Sequence, residues 1–277
     1  TPEETLKIWD KDKVLSDVVW VIRKFRPDII VCRFPVDGKG GHGHHTSSAL
    51  LAQEAFDMAA DNNAFSEQLK YVDTWQAKRV VINTGRWWNK DITSSDPGVV
   101  ALDIGGYNST LGISYNEMAA LSRSMHKTQG FGSTGKRGEY LEYFEYLKGD
   151  SAKNSLFDNT DFTWSRIGEN TIIEQLIKSI QDSFDIQQPS NSINGLIELR
   201  KLVIKLKNEY WKKIKLQEID QLILQCAGLF LELTTLSSKK SVGDSLSFNL
   251  EFINRTNAKV QLKKLSCNSL KFLREYD

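Results

Sequence analysis

Cysteine is scarce: Cys32, Cys226 and Cys267 are the only three in 277 residues. Residues so few and so scattered form neither a disulfide framework nor a Cys-x-x-Cys metal knuckle. Cys32 falls in an apolar strand pattern and Cys226 on an apolar helix face, so both read as core. No apolar run reaches the roughly 18 residues of a membrane-spanning helix. An excess of one charge is lacking too. The formal net charge of +1 gives no footing for nucleic-acid or membrane binding. Gly105-Gly106 does not have the spacing of a dinucleotide fingerprint, and the glycines of 130–138 do not have that of a Walker loop. What remains has the 40% hydrophobic and 26% charged composition of an ordinary globular protein, long enough for one large domain or two small ones.

Histidine is also rare, with four residues, yet three of them stand together in Gly40-Gly41-His42-Gly43-His44-His45. Apolar residues at Leu15, Val18, Val19 and Ile22 recur on one helical face before them. Pro27 ends that helix, and Ile29-Ile30-Val31-Cys32 reads as a short buried strand. A glycine-rich loop follows. A helix is expected from Thr46 to Ala60, capped by Thr46 or Ser47. The histidines therefore lie beyond the carboxyl end of a strand and at a helix amino terminus, where open α/β sheets carry their chemistry. Imidazole binds zinc and moves protons near neutral pH. A polar loop whose histidines meet only water is the competing reading.

These residues resemble a known family. Arg26-Pro27-Asp28-Ile29-Ile30-Val31, then Gly41-His42-Gly43-His44-His45, then the Ala/Leu-rich stretch 49–60, are similar to the PIG-L (LmbE-like) N-deacetylases. The match covers residues 1 to about 148, and its wording is nearest a long bacterial branch of that family. The resemblance implies a Rossmann-like three-layer α/β sheet and a zinc-dependent removal of acetyl from N-acetylglucosamine-type sugars or glycoconjugates. The family's His-Pro-Asp-His motif maps His45 to a Zn2+ ligand and His42 to the acid or oxyanion partner. Gly43-His44 replaces Pro-Asp, so no carboxylate stands there to orient His42. His126-Lys127-Thr128-Gln129 is similar to the family's His-x-Ser-Gln signature, which implies substrate contacts from His126 and the nearby Arg123. The family's first motif, Ala-His-Pro-Asp-Asp-Glu, supplies two zinc ligands and the general base. Nothing in the sequence resembles it. With no Met at its start, the chain reads as the middle of a larger protein whose first strands lie upstream. Deacetylation is then expected of the intact protein, and a degenerate domain that holds a glycan without cutting it is the alternative.

Further strands are expected at 79–83 and 99–104. Between them Trp87-Trp88 offers aromatic planes that suit a pyranose face, or else one ring plugs the core and the other covers a loop. Asp103 before Gly105-Gly106 either helps bind a ligand or caps the turn. Residues 114–126 read as a helix opened by a Ser-x-x-Glu capping box. Residues 130–138 read as a mobile lid or a basic strip, and 139–148 as an edge strand. The stripes in 172–180, 193–216 and 219–233 argue a small helical bundle, whose lysines form a solvated face. From Val242 the period turns to two, with a hairpin turning at 254–257. The expected organisation is 1–150 as the deacetylase-like part, 151–238 as a helical module and 239–277 as the start of a β-sandwich. That architecture suits a periplasmic or secreted bacterial protein. If Trp87 and Trp88 form a sugar platform, changing both to Ala weakens binding of N-acetylglucosamine conjugates by at least about tenfold with folding intact, as titration calorimetry checks.

Overall fold

The computed structural model describes residues 1–85, 89–168 and 171–264. The chain divides into two compact units, Thr1–Thr160 and Asp161–Asp277.

The first unit is mixed α/β. Its first helix, α1 (Pro2–Trp9), is capped by Thr1, whose hydroxyl accepts from the Glu4 N–H at 3.2 Å. Asp10, at φ 60°, turns the chain into α2 (Lys11–Phe25), which Arg26 ends at φ 55°. Then come β1 (Ile29–Cys32), α3 (Gly43–Met58), β2 (Arg79–Thr84) and β3 (Val99–Asp103). The two-residue strands β4 (Tyr107–Asn108) and β5 (Ile113–Ser114) lead into α4 (Tyr115–Ser124), and β6 (Leu141–Gly149) closes the sheet.

The sheet order is β1-β2-β6-β3. β1 and β2 run parallel through α3, with Ile29 opposite Arg79 and Cys32 opposite Ile82. β6 is antiparallel to both β2 and β3. β3 therefore runs in the same direction as β1 and β2, and the carboxyl ends of all three open at one end of the sheet. The alternation of aromatic and acidic residues in β6 suggested an edge strand, but β6 is interior. Its backbone pairs on both sides and Tyr143 is buried, while Glu142 lies at the open end and Glu145 in mid-strand, opposite Val99 and Ile82. β1 is an edge, paired on one side only among the described residues.

Small residues let α3 lie close on the sheet. Ala49 and Phe56 meet Cys32, Val80 and Ile82. The opposite side of α3, with Leu51, Ala55 and Ala59, packs on Leu15, Val19 and Ile22 of α2. On the other sheet face, Val81 and Val100 are covered by Ala152 and Leu156. That strap is held by the buried Arg79, which donates to the carbonyls of Asp150 at 3.0 Å, Asp158 at 2.7 Å and Leu156.

A second buried arginine fixes α2 against α3. Arg23 is fully buried, with Nε donating to Ala59 O at 3.2 Å. Nη1 donates to Phe65 O and Gln68 Oε1, and Nη2 to the carbonyls of Met58, Asp61 and Ala64. Met58 and Ala59 close α3, so the guanidinium satisfies carbonyls that a helix end leaves without intrahelical partners. Gln68 continues the network to Ser16 of α2, through both its carbonyl and its hydroxyl.

The second unit contains α5 (Thr171–Asp182), α6 (Ile193–Val203) and α7 (Glu209–Cys226), then β7 (Leu229–Thr234) and β8 (Asn249–Asn254). Ile173, Leu196, Leu199, Val203 and Ile219 form its core. Three helices were expected, but their boundaries differ. The stripe of 193–216 breaks after Val203, and Asn208 caps a new helix by accepting from the Trp211 N–H at 3.1 Å. The stripe of 219–233 is not one helix either: Gly228, at φ 61°, ends α7 and releases the chain into β7. β8 pairs with β7, not with the residues after the 254–257 turn. The turn folds back, Thr256 Oγ1 donating to Ala227 O at 2.7 Å and Arg255 Nε to Gly228 O at 2.9 Å. Val260 and Leu262 lie outside any strand, and Leu265 lies outside the described residues.

Arg23→Met keeps the stem but takes the guanidinium from six oxygens; the carbonyls of Met58, Ala59 and Phe65 keep the N–H groups of Asp61, Trp75 and Gln68, while Asp61 O, Ala64 O and Gln68 Oε1 lose the donor Arg23 gives them. Each unpaired buried group costs about 1–3 kcal/mol, so the unfolding free energy is expected to fall by about 3 kcal/mol or more in urea titrations. Arg23→Lys, with three donors on one nitrogen, recovers only part of it.

Candidate functional site

The loop from β1 to α3 is built on glycine. Gly38 and Gly41 have φ of 83° and 81°, and the Gly41 N–H donates to Gly38 O at 3.2 Å. Asp37 accepts from the Lys39 N–H at 3.0 Å and pairs with its ammonium at 2.8 Å. This ammonium holds the Asp37 carboxyl below its ordinary range. The left-handed turn at Gly41 delivers His42 in an extended conformation at the helix amino cap, φ −129° and ψ 142°. α3 thus starts at Gly43, three residues before the expected Thr46. Thr46 and Ser47 cap nothing. Both are buried inside the helix, and Ser47 Oγ donates to Pro2 O at 3.2 Å.

This start divides the three histidines. The His45 Nδ1 lies 2.9 Å from Gly40 O. A carbonyl oxygen can only accept, so Nδ1 carries a proton, which in a neutral ring leaves the lone pair on Nε2. The ring stacks on Phe34 at 3.7 Å and 2°. The His42 ring meets His45 edge-on, 5.1 Å away at 88°. His44 turns off to Trp9 of α1, with ring centroids 5.4 Å apart. Gly43 is required here: a Cβ at this position would come within 2.3 Å of Thr1 O and 2.5 Å of Thr5 Oγ1. A proline would not fit where α1 crosses so closely.

At the same end of the sheet is a relay with no sequence motif. Arg33 Nη1 donates to Asn83 Oδ1, and Asn83 Nδ2 donates to Glu142 Oε2 at 2.8 Å and to Tyr143 O at 3.2 Å. The signal in the sequence was slight: polar residues at the carboxyl ends of two apolar strands, and a glutamate near the amino end of a third.

The donors present do not complete a zinc site. Among the described residues, no group of three or more His, Cys, Asp or Glu side chains could hold a metal ion. A catalytic zinc takes three protein ligands and keeps an open position. Among the described residues His45 has the form of one ligand, with its Nδ1 tied to a carbonyl, the arrangement usual for metal-binding histidines.

No family model, curated protein or solved structure matches this chain.

Arg123 and His126 belong to the same sheet end by topology, since the segment after β3 leaves from there. Both are exposed. The His126 N–H donates to Arg123 O at 3.0 Å, and the Arg123 side chain lies along Gly130, where a Cβ would come within 2.6 Å of its Nε. Among the described residues, no hydrogen bond or ring contact joins Arg123 or His126 to His42 or His45. Trp87 and Trp88 lie outside the described residues. The glycine-rich stretch 130–138 is not a free lid. Its backbone oxygens at Ser133 and Lys136 accept from Ser124 and Ser114, its Lys136 N–H donates to Asn116, and Arg137 pairs with Glu117 at 2.8 Å.

Asp103 proves to be a cap. Its Oδ1 accepts from the backbone N–H groups of Tyr140 and Gly105, each at 2.8 Å. Those two bonds, Tyr140 first, hold its carboxyl below the ordinary value of 3.8. A carboxyl lowered in the fold contributes stability above that ordinary value, and the contribution is lost as pH falls through the lowered one. Asp103→Asn keeps an accepting oxygen without the titration. The variant is expected to match the parent at neutral pH and to lose less stability on the acid side, read as urea midpoints between about pH 3 and 7.

Proposed function

We propose that this chain carries part of the active site of a zinc-dependent N-deacetylase that acts on N-acetylglucosamine-type sugars or glycoconjugates. Its first unit is then the later portion of a Rossmann-like three-layer domain. One observation carries the reading: His45 is a pre-oriented imidazole, its Nδ1 on Gly40 O and its ring on Phe34. The resemblance around Gly41 to His45 gives that imidazole a role, one zinc ligand of several. The remaining ligands and the general base come from outside these residues. Zinc, when bound, supplies Lewis acidity toward an acetamide carbonyl.

The chain's own contribution is proton handling and orientation. His42, exposed and 5.1 Å from His45, stands where it can donate to an oxygen held beside its neighbour. General acid help of this kind is worth about 10²–10⁴-fold in rate. The Arg33-Asn83-Glu142 relay fixes the direction of the Asn83 amide at the rim. A second reading, a glycan-binding domain without hydrolysis, is favoured by one detail: His44 takes the carboxylate's place in the motif and faces Trp9, so nothing acidic orients His42.

The test is zinc content and acetate release. The chelator-washed chain is expected to hold near-zero zinc and to release no acetate from N-acetylglucosamine conjugates. A protein that also contains an Ala-His-Pro-Asp-Asp-Glu segment is expected to bind about one zinc and to release acetate. His45→Ala then removes both, and His42→Ala slows release by at least about 10²-fold with zinc retained. Glycan binding without acetate release from that longer protein supports the second reading. Robust hydrolysis by the 277-residue chain alone, dependent on His45, refutes the split site.

A further inference from the structure

Helix α2 is apolar on two sides. Leu15, Val19 and Ile22 are buried against α3. Val14, Val18, Val21 and Phe25 follow one another at helical spacing on a second side. Val14 and Val18 are only partly buried, and Val21 is 59% and Phe25 72% exposed. A helix apolar over so wide an arc is built to meet more than one neighbour.

β1 has the matching feature. Ile29-Ile30-Val31-Cys32 is an unbroken apolar run, the composition of a strand inside a parallel sheet. Yet β1 is an edge, paired only with β2 among the described residues, and Val31 is half exposed. Edge strands commonly carry a charge, a proline or a bulge, and these four residues hold none. An unpaired backbone edge takes one kind of occupant, an extended chain.

Topology sets the side and the direction of that chain. Ile30 packs into both the cluster between α2 and α3 and the cluster between α3 and the sheet, so α2 lies on the same sheet face as α3. Crossovers between parallel strands share one hand. Because α3 carries the chain from β1 to β2, a crossover through α1 and α2 on that face reaches β1 from the side away from β2. That side is the open edge. The start of α1 agrees. Thr1 O stands against Gly43 at the amino end of α3, where a Cβ would come within 2.3 Å of it, and Ser47 Oγ donates to Pro2 O at 3.2 Å. α1 thus begins at the sheet end where β1 stops, the end to which a strand parallel to β1 brings a chain.

We propose that the open edge of β1 and the outer stripe of α2 hold one further β-strand, parallel to β1 and formed by the segment of the same polypeptide that leads into Thr1. Its backbone pairs with β1, and one row of apolar side chains meets Val14, Val18 and Val21. The strand ends beside the histidine loop and adds a fourth loop to that end of the sheet. The inference goes beyond the hydrolytic reading and does not rest on it.

Amide exchange tests it. The natural protein with the residues that precede Thr1 is compared with the 277-residue chain. Amides within 29–32 are expected to exchange at least about 100-fold more slowly in the longer protein. Val21→Asp is expected to leave the urea midpoint of the shorter chain unchanged, because Val21 is exposed there. In the longer protein the same change is expected to lower the midpoint and to remove at least about tenfold of the added protection. Equal exchange of 29–32 in the two proteins, added protection that survives Val21→Asp, or a natural protein in which nothing precedes Thr1 overturns the proposal. Protection of the shorter chain that rises with its concentration, together with dimers lost in Val21→Asp, assigns the edge to a second copy and overturns it as well. Added protection in a longer protein that neither binds zinc nor releases acetate upholds the strand and refutes the hydrolytic reading alone.

Discussion

The first unit depends on a charge placed where water cannot reach. Arg23 brings one guanidinium to six oxygens around the turn after α3, three of which also accept a backbone N–H. Its cost is desolvation, which lowers its pKa from the usual arginine range, while Glu67 and Asp61 act in the other direction. Its return is geometric. With the carboxyl end of α3 locked to α2, the helix has one direction in which to leave the sheet, and its amino end, with the histidines, is aimed from the far side. Arg79 repeats the device on the opposite sheet face. It holds the 150–158 strap by three carbonyls.

From this frame the site follows by topology. Three strands of common direction end together, and three loops of different character leave from their ends. The first presents two histidines in distinct settings. His45 is fixed by a stacked ring and a carbonyl, and His42 is left open at the cap. The third carries α4, held by its polar side, with its apolar side outward. Loops of such different character leave one end of a common sheet, as loops on an α/β base do.

Much of this was legible in residue order. The α2 stripe of Leu15, Val19 and Ile22, the order β1, loop, α3 and the Ser114-Glu117 capping box all appear as spacing put them, with α3 starting three residues early. Local signals were enough there because each element announces itself within a few residues. What escaped was long-range. Arg23 and Arg79 look like surface cations until the carbonyls they serve, up to 79 positions away, are known. β6 looked like an edge because its alternation reports a half-polar environment without saying how many neighbours it has. The break at 204–208 was missed because an apolar stripe continues through it, although Asn208, three before Trp211, was a readable cap. Gly228 was a readable stop for α7. The division of His42 and His45 from His44 follows from where the helix starts, and one left-handed glycine decides that.

The edge position of β1 carries a hazard of its own. Only four residues long, with Val31 half exposed, it has one side of its backbone unpaired by any strand among the described residues. Such edges template intermolecular sheets, and proteins restrain them by keeping the strand short or breaking it quickly. Here the restraint is Arg33, which ends the apolar run with a charge, and Pro35, which has no N–H to give. The glycine loop that presents the histidines is therefore also the feature that stops the strand from growing. A change that lengthened β1 into that loop would trade a ligand-ready turn for a sticky edge, and its first symptom would be aggregation, before any loss of fold.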